Sequence, residues 1–187
     1  MATDSAHVAA QEGTLISLTN FVDSNPNWDL NAPDHTGRTC LMLAAEAGHV
    51  KVCEYLINHG ASVTKQDQFN KRSAIHLAAR SGHDKVLKVL LHALPPPPAP
   101  TRQDAVNEPD ANGFTPVYLA SLKGGRGHEC MKDLITDGAR YNSAKVSVKA
   151  AGNAVMAALR MKKMVGGLGG ASKAASAGAG AGGAAAA

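Results

Sequence analysis

Two stretches of this chain carry the same spacing of apolar residues. Val52, Cys53, Leu56 and Ile57 stand at i, i+1, i+4 and i+5, and so do Val86, Leu87, Leu90 and Leu91. That spacing lines one side of a helix. Upstream of each stripe lies a segment with small residues at its centre, Leu43-Ala-Ala-Glu-Ala-Gly48 and Leu77-Ala-Ala-Arg-Ser-Gly82. Val8-Ala-Ala-Gln-Glu-Gly13 and Leu119-Ala-Ser-Leu-Lys-Gly124 line up with them. The small pairs let a first helix approach its neighbours closely, and the glycine stands where a left-handed residue ends a helix at little cost. The pattern predicts four pairs of short helices. The stripe of a single pair can be buried only against the next pair, so stability must come from stacking.

Asp34 and Asp67 lie 33 residues apart, and Asp110 follows one such period plus ten residues later, the surplus falling in the Pro-rich stretch after Leu94. The run Asp34-His-Thr-Gly-Arg-Thr-Cys-Leu-Met-Leu-Ala-Ala-Glu-Ala-Gly-His49 resembles an ankyrin repeat, as do Ser73-Ala-Ile-His-Leu-Ala-Ala-Arg-Ser-Gly-His83 and Asp110-Ala-Asn-Gly-Phe-Thr-Pro-Val-Tyr118. The resemblance implies an all-α solenoid of stacked helix-turn-helix units with short β-turn fingers over residues 2–142, followed by a C-terminal helix. The expected units are about 2–33, 34–66, 67–109 with a Pro-rich loop at 95–100, and 110–142.

Departures from the repeat are informative. Thr39, Ser73 and Thr115 hold the hydroxyl position of the family's T-P-L-H turn, but only Ser73 with His76 keeps both the hydroxyl and the histidine. Met42 and Tyr118 replace that histidine elsewhere, which is expected to weaken local order. The turn glycine present as Gly37 and Gly113 reads as Asn70 in the third unit, with one extra residue after it, so a distorted finger is expected there. Pro95-Pro-Pro-Pro-Ala-Pro100 replaces the usual short link, consistent with an extended polyproline segment and a fourth unit docked less firmly. Lys123-Gly-Gly-Arg-Gly-His128 lengthens the last helix-helix turn by about two residues.

Charge changes the picture only at the end of the chain. The net charge is +4, yet after Ala139 there are seven Lys or Arg and no acid. Residues 143–165 read as a basic amphipathic helix, either a cap on the last unit or a membrane-surface or calmodulin-type target; residues 166–187 read as a disordered Gly/Ala-rich tail. The remainder is slightly acidic, which argues against nucleic-acid binding. Any membrane contact would run through the basic helix.

Three cysteines, Cys40, Cys53 and Cys130, form no C-x-x-C pair, and no bilayer-spanning run or signal-like N-terminus stands out. A cytoplasmic or nuclear monomer is expected. Gly178–Gly183 formally matches a dinucleotide fingerprint but follows no strand, Gly124–Gly127 reads as a permissive loop, and the recurrent Gly-His pairs read as structural rather than metal-binding. No catalytic motif is present, so no catalysis, cofactor or metal is expected.

Recognition remains. In ankyrin proteins the finger tips and the exposed side of the first helices line a concave groove. The matching positions here are His35, Arg38 and Glu46; Phe69, Lys71, Arg72 and Arg80; and Asn112, Phe114, Leu122 and Lys123. Phe69 and Phe114 suggest aromatic anchors. Arg38, Lys71, Arg72 and Arg80 make the middle of the groove basic, so a protein partner with an acidic surface is expected. The reading is an adaptor, scaffold or inhibitor, with a structural role inside a larger complex as an alternative.

Overall fold

A computed structural model describes residues 2–94 and 102–139. The Pro-rich loop 95–100, the basic helix expected at 143–165 and the tail at 166–187 lie outside the described residues. Four helix pairs follow one another: α1 (Ala2–Glu12) with α2 (Leu15–Ser24), α3 (Cys40–Ala47) with α4 (Val50–Asn58), α5 (Ala74–Ser81) with α6 (Asp84–His92), and, after α7 (Arg102–Asn107), α8 (Pro116–Leu122) with α9 (Gly127–Thr136). The first helices stack in the order α1, α3, α5, α8, and α4, α6 and α9 stack behind them. One apolar core runs the whole length, from Ala6 and Leu18 through Leu56, Ile75 and Leu90 to Met131 and Leu134. No strand occurs among the described residues; the fingers are turns, with one isolated bridge between Gln66 and Ser73.

Local chemistry sets the helix ends. Thr39 Oγ1 accepts from the Met42 amide at 3.3 Å and caps α3. Met42 does not loosen this turn as expected, because its thioether takes the acceptor role of the missing histidine and receives the Thr39 amide at 3.4 Å. In the third unit Ser73 Oγ lies 2.9 Å from His76 Nδ1, and the Ser73 amide donates to the same nitrogen at 3.3 Å. His76 Nε2 therefore carries the proton and donates to the Glu108 carbonyl at 2.9 Å.

The Gly-His pairs form a latch between units. Gly48 ends α3 at φ 88°. A Cβ there would stand 2.7 Å from the His83 ring, and a Cβ on Gly13 would strike His49. With the glycines bare, the rings settle over them: His83 Nε2 bonds the Glu46 carbonyl at 3.1 Å and His49 Nε2 the Gln11 carbonyl at 3.0 Å. In the fourth unit the extra residues form a 3-10 turn, Gly124–Arg126, and Arg126 rather than His128 covers Gly82.

Two further expectations change. The third finger places Lys71, not Asn70, in the left-handed conformation, at φ 54°. Asp67 N bonds Arg72 O at 2.9 Å just as Asp34 N bonds Arg38 O, so the residue before the closing bond must turn; Asn70 is the inserted one. The fourth unit is not loosely docked either. The His76 bond to Glu108 holds the link that leads into its finger, and a bond from Ala111 N to Asn70 O at 2.8 Å with another from Asn107 Nδ2 to Gly138 O at 3.1 Å fastens the unit to the third. The helix α7, absent from the sequence reading, buries Ala105 and Val106 where Val63 is buried in the preceding unit.

Candidate protein-binding groove

Each finger is built on one aspartate. Asp34 Oδ1 accepts the amides of Thr36 and Arg38, both at 2.8 Å; Asp67 Oδ1 accepts those of Phe69 and Asn70; Asp110 Oδ1 accepts those of Asn112 and Phe114, both at 2.9 Å. Burial pushes the Asp34 and Asp110 carboxyls up, but the hydrogen bonds and a facing arginine win and hold both below the usual carboxylate range.

The fingers and first helices present the expected residues unevenly. Arg38 bonds Glu46 at 3.0 Å, and the other Glu46 oxygen lies 4.0 Å from Arg80, so a chain of paired charges crosses the groove from the second unit to the third. Arg72 is committed to Asp110 at 2.9 Å, with the Asp110 side chain fully buried. Phe114 does not stand free, because it stacks on Tyr118 with ring centroids 4.5 Å apart. Phe69 does stand free, at 70% exposure. His35, Lys71 and Asn112 are exposed on their finger tips.

At the step between the third and fourth units the groove opens. Arg72, Arg80, Phe114, Leu119, Leu122 and Lys123 line a cavity of about 450 Å³. Five of the residues expected in the site meet there; His35, Arg38, Glu46, Phe69, Lys71 and Asn112 do not line it. Leu122 is 56% exposed, one of four large apolar residues so placed among the described residues. Its counterparts in the row along the first helices are Gln11, Glu46 and Arg80, so the row runs from polar and charged residues to an apolar one.

Sequence reading missed Leu119 as part of this floor, Tyr118 as the ring that backs Phe114, and Asp110 as the partner of Arg72. Tyr118 was legible as an aromatic in the histidine position; the ion pair spans 38 residues and had no local signal. It also missed His7, which precedes Val8-Ala-Ala as His76 precedes Leu77-Ala-Ala, and whose Nε2 bonds the Ala32 carbonyl at 3.0 Å.

The cysteines stand outside the groove. Burial pushes each of the Cys40, Cys53 and Cys130 thiols up to about 12, which keeps them protonated at neutral pH.

Stacked helix pairs with finger turns and a variable concave face define a repeat solenoid. Residues 6–98 match the family of ankyrin repeats (3 copies), and the chain is an ankyrin-repeat protein. The fourth helix pair lies beyond the matched stretch.

Among its relatives, the probable 26S proteasome regulatory subunit p28 of Saccharomyces cerevisiae is 32% identical over 118 residues, 63% of this chain and 48% of that protein. Alpha-latrotoxin-Lh1a of Latrodectus hasselti is 32% identical over 122 residues, 64% of this chain and 8% of the toxin. The putative E3 ubiquitin-protein ligase XBAT31 of Arabidopsis thaliana is 32% identical over 135 residues, 71% of this chain and 29% of that protein. The chain thus spans less than half the length of each. Ankyrin repeats are a protein-protein interaction module.

Proposed function

We propose that this chain is a non-catalytic adaptor, scaffold or inhibitor that binds one protein partner in its concave groove, as a monomer in the cytoplasm or nucleus. The observation that carries this reading is the contrast within the groove. Fingers and helices hold a rigid frame, while Leu122, Lys123, Arg80 and Phe69 are left exposed on it. Exposed aromatic, aliphatic and Arg residues on a preorganised surface are what a binding hot spot requires. The three protonated, buried thiols are consistent with a reducing compartment.

Affinity purification of the tagged chain tests the reading, with three forms compared side by side: wild type, Leu122→Asp, and Phe69→Ala with Phe114→Ala. A partner retained by wild type and lost from both variants, with helicity unchanged, supports the groove. A partner retained by both, but lost when the chain is ended at Asn142, would move the function to the basic segment beyond.

A further inference from the structure

We infer that the step between the third and fourth units is a subsite for a protein segment carrying an acidic side chain next to an aliphatic or aromatic one. The inference rests on the groove reading and names the chemistry of its occupant. Three cations and three apolar residues line this cavity, and no acid does. Arg72 is neutralised from behind by the buried Asp110 carboxylate. Arg80 is half exposed and only loosely paired, 4.0 Å from Glu46 on the second-unit side, whose short contact is with Arg38. Lys123 is exposed, with no ion-pair partner among the described residues. Between the two cationic residues lies an apolar floor of Phe114, held flat against Tyr118, with Leu119 and Leu122.

The arrangement selects by both features. An aliphatic or aromatic side chain seated on Leu122 buries apolar surface on both partners. A neighbouring carboxylate meets Arg80 or Lys123, where charge complementarity adds specificity and speeds encounter. Neither feature suits a polyanion. Nucleic acid or a lipid surface is held by many unpaired cations in a row. Here the row is interrupted, because Arg38 is paired with Glu46 and Arg72 with Asp110. Phe69, exposed on the finger that carries Arg72, offers the segment a second apolar contact outside the cavity.

The test uses the full chain and a designed peptide array with three sets of 15-residue peptides: glutamate beside leucine, lysine beside leucine, and glutamate without any apolar residue. The glutamate-leucine set should bind at least tenfold better than either other set, more weakly at high salt. Arg80→Glu with Lys123→Glu should turn the preference toward the lysine-leucine set, and Leu122→Ser should weaken both apolar sets. The basic segment after Ala139 is present in every variant, so acidic peptides that bind it are unaffected by these changes, and binding that survives the charge reversal counts against the subsite.

Equal binding of all three sets, or stronger binding of poly-uridine RNA or phosphatidylserine vesicles than of any peptide, overturns the inference. Peptides that lose binding with Leu122→Ser but show no acidic preference overturn it while leaving the groove reading intact. Peptides indifferent to every groove substitution overturn both. Should the double reversal unfold the chain, Arg80→Gln and Lys123→Gln singly must each lower affinity for the glutamate-leucine set about threefold; no change in either refutes the subsite.

Discussion

The second and third units are joined differently from the third and fourth, although first helices stack on first helices at both steps. Between units two and three a charged fastening runs along the concave row, where Glu46 ties Arg38 to Arg80, while at the helix-helix turn the His83 ring covers Gly48 and its Nε2 bonds the Glu46 carbonyl. Between units three and four polar fastening is found at the base of the finger, in the Arg72–Asp110 pair, the Asn70–Ala111 bond and the His76–Glu108 bond that holds the link into the finger, and behind it in the Lys88–Asp133 pair at 3.6 Å. No acid lines the concave edge at this step, Lys123 there has no ion-pair partner among the described residues, and the floor is apolar. A repeat frame can thus free part of its face for a partner by relocating the bonds that hold the stack.

The Arg72–Asp110 pair should carry the largest single effect. Arg72→Ala leaves the Asp110 carboxylate buried with only backbone donors, and should cost about 3 kcal/mol in urea unfolding. Arg38→Ala, which removes a half-exposed partner of Glu46 at 3.0 Å and a looser one of Asp34 at 3.8 Å, should cost about 1 kcal/mol. Equal costs would erase the distinction between the two steps.

The two steps should also differ in their response to acid. Burial holds the His76 ring neutral in the folded chain, with its pKa lowered from 6.5 to about 4. Its counterpart at the second unit, Met42, does not titrate. The unfolded chain takes up the proton near 6.5 and the folded chain only near 4, so acid favours unfolding. The contribution of His76 is intact above about pH 6.5 and is lost as pH falls toward 4, where it amounts to about 3 kcal/mol at most. His76→Met should flatten the stability profile across that window; an unchanged slope would place the proton elsewhere.

The glycine latch gives a smaller effect. Gly48→Ala adds a side chain at φ 88° and strikes the His83 ring, for a loss of about 2 kcal/mol; Gly60→Ala, at φ 93° but facing open space, should lose about 1 kcal/mol. Smallest, and of opposite sign, Lys71→Gly should stabilise the chain by about 0.5 kcal/mol, because the relief of a left-handed lysine is partly offset by the greater freedom of glycine in the unfolded chain. Chemical denaturation reads all three, and Trp28 fluorescence reports the first unit within the same titration.

Much of the frame was legible because it is written in local spacing. The Ala-Ala pairs, the glycines after them and the stripes from Val52 to Ile57 and Val86 to Leu91 are fixed by what one helix needs, and each repeats. The aspartates that open the fingers were legible for the same reason. What was not legible depends on residues that meet only after folding. The ion pairing of Arg38 and Arg72 could not be seen from their own neighbourhoods, so the middle of the groove reads as more basic in sequence than it is in the structure. Lys71 was overlooked because Asn70 is the residue whose type suits a left-handed turn, whereas the closing bond to Arg72 decides which position must adopt it. The polyproline run drew attention away from Ala105 and Val106, two residues that anchor the link to the fourth unit in the core.

The open cavity exists only where the fourth unit is seated on the third. Hydrogen–deuterium exchange on the full chain tests this directly. Amides of α8 and α9 should be protected to within about tenfold of those in α5 and α6, the span expected of one cooperative unit. Rapid exchange through α8 and α9 beside slow exchange in α5 and α6 would contradict it.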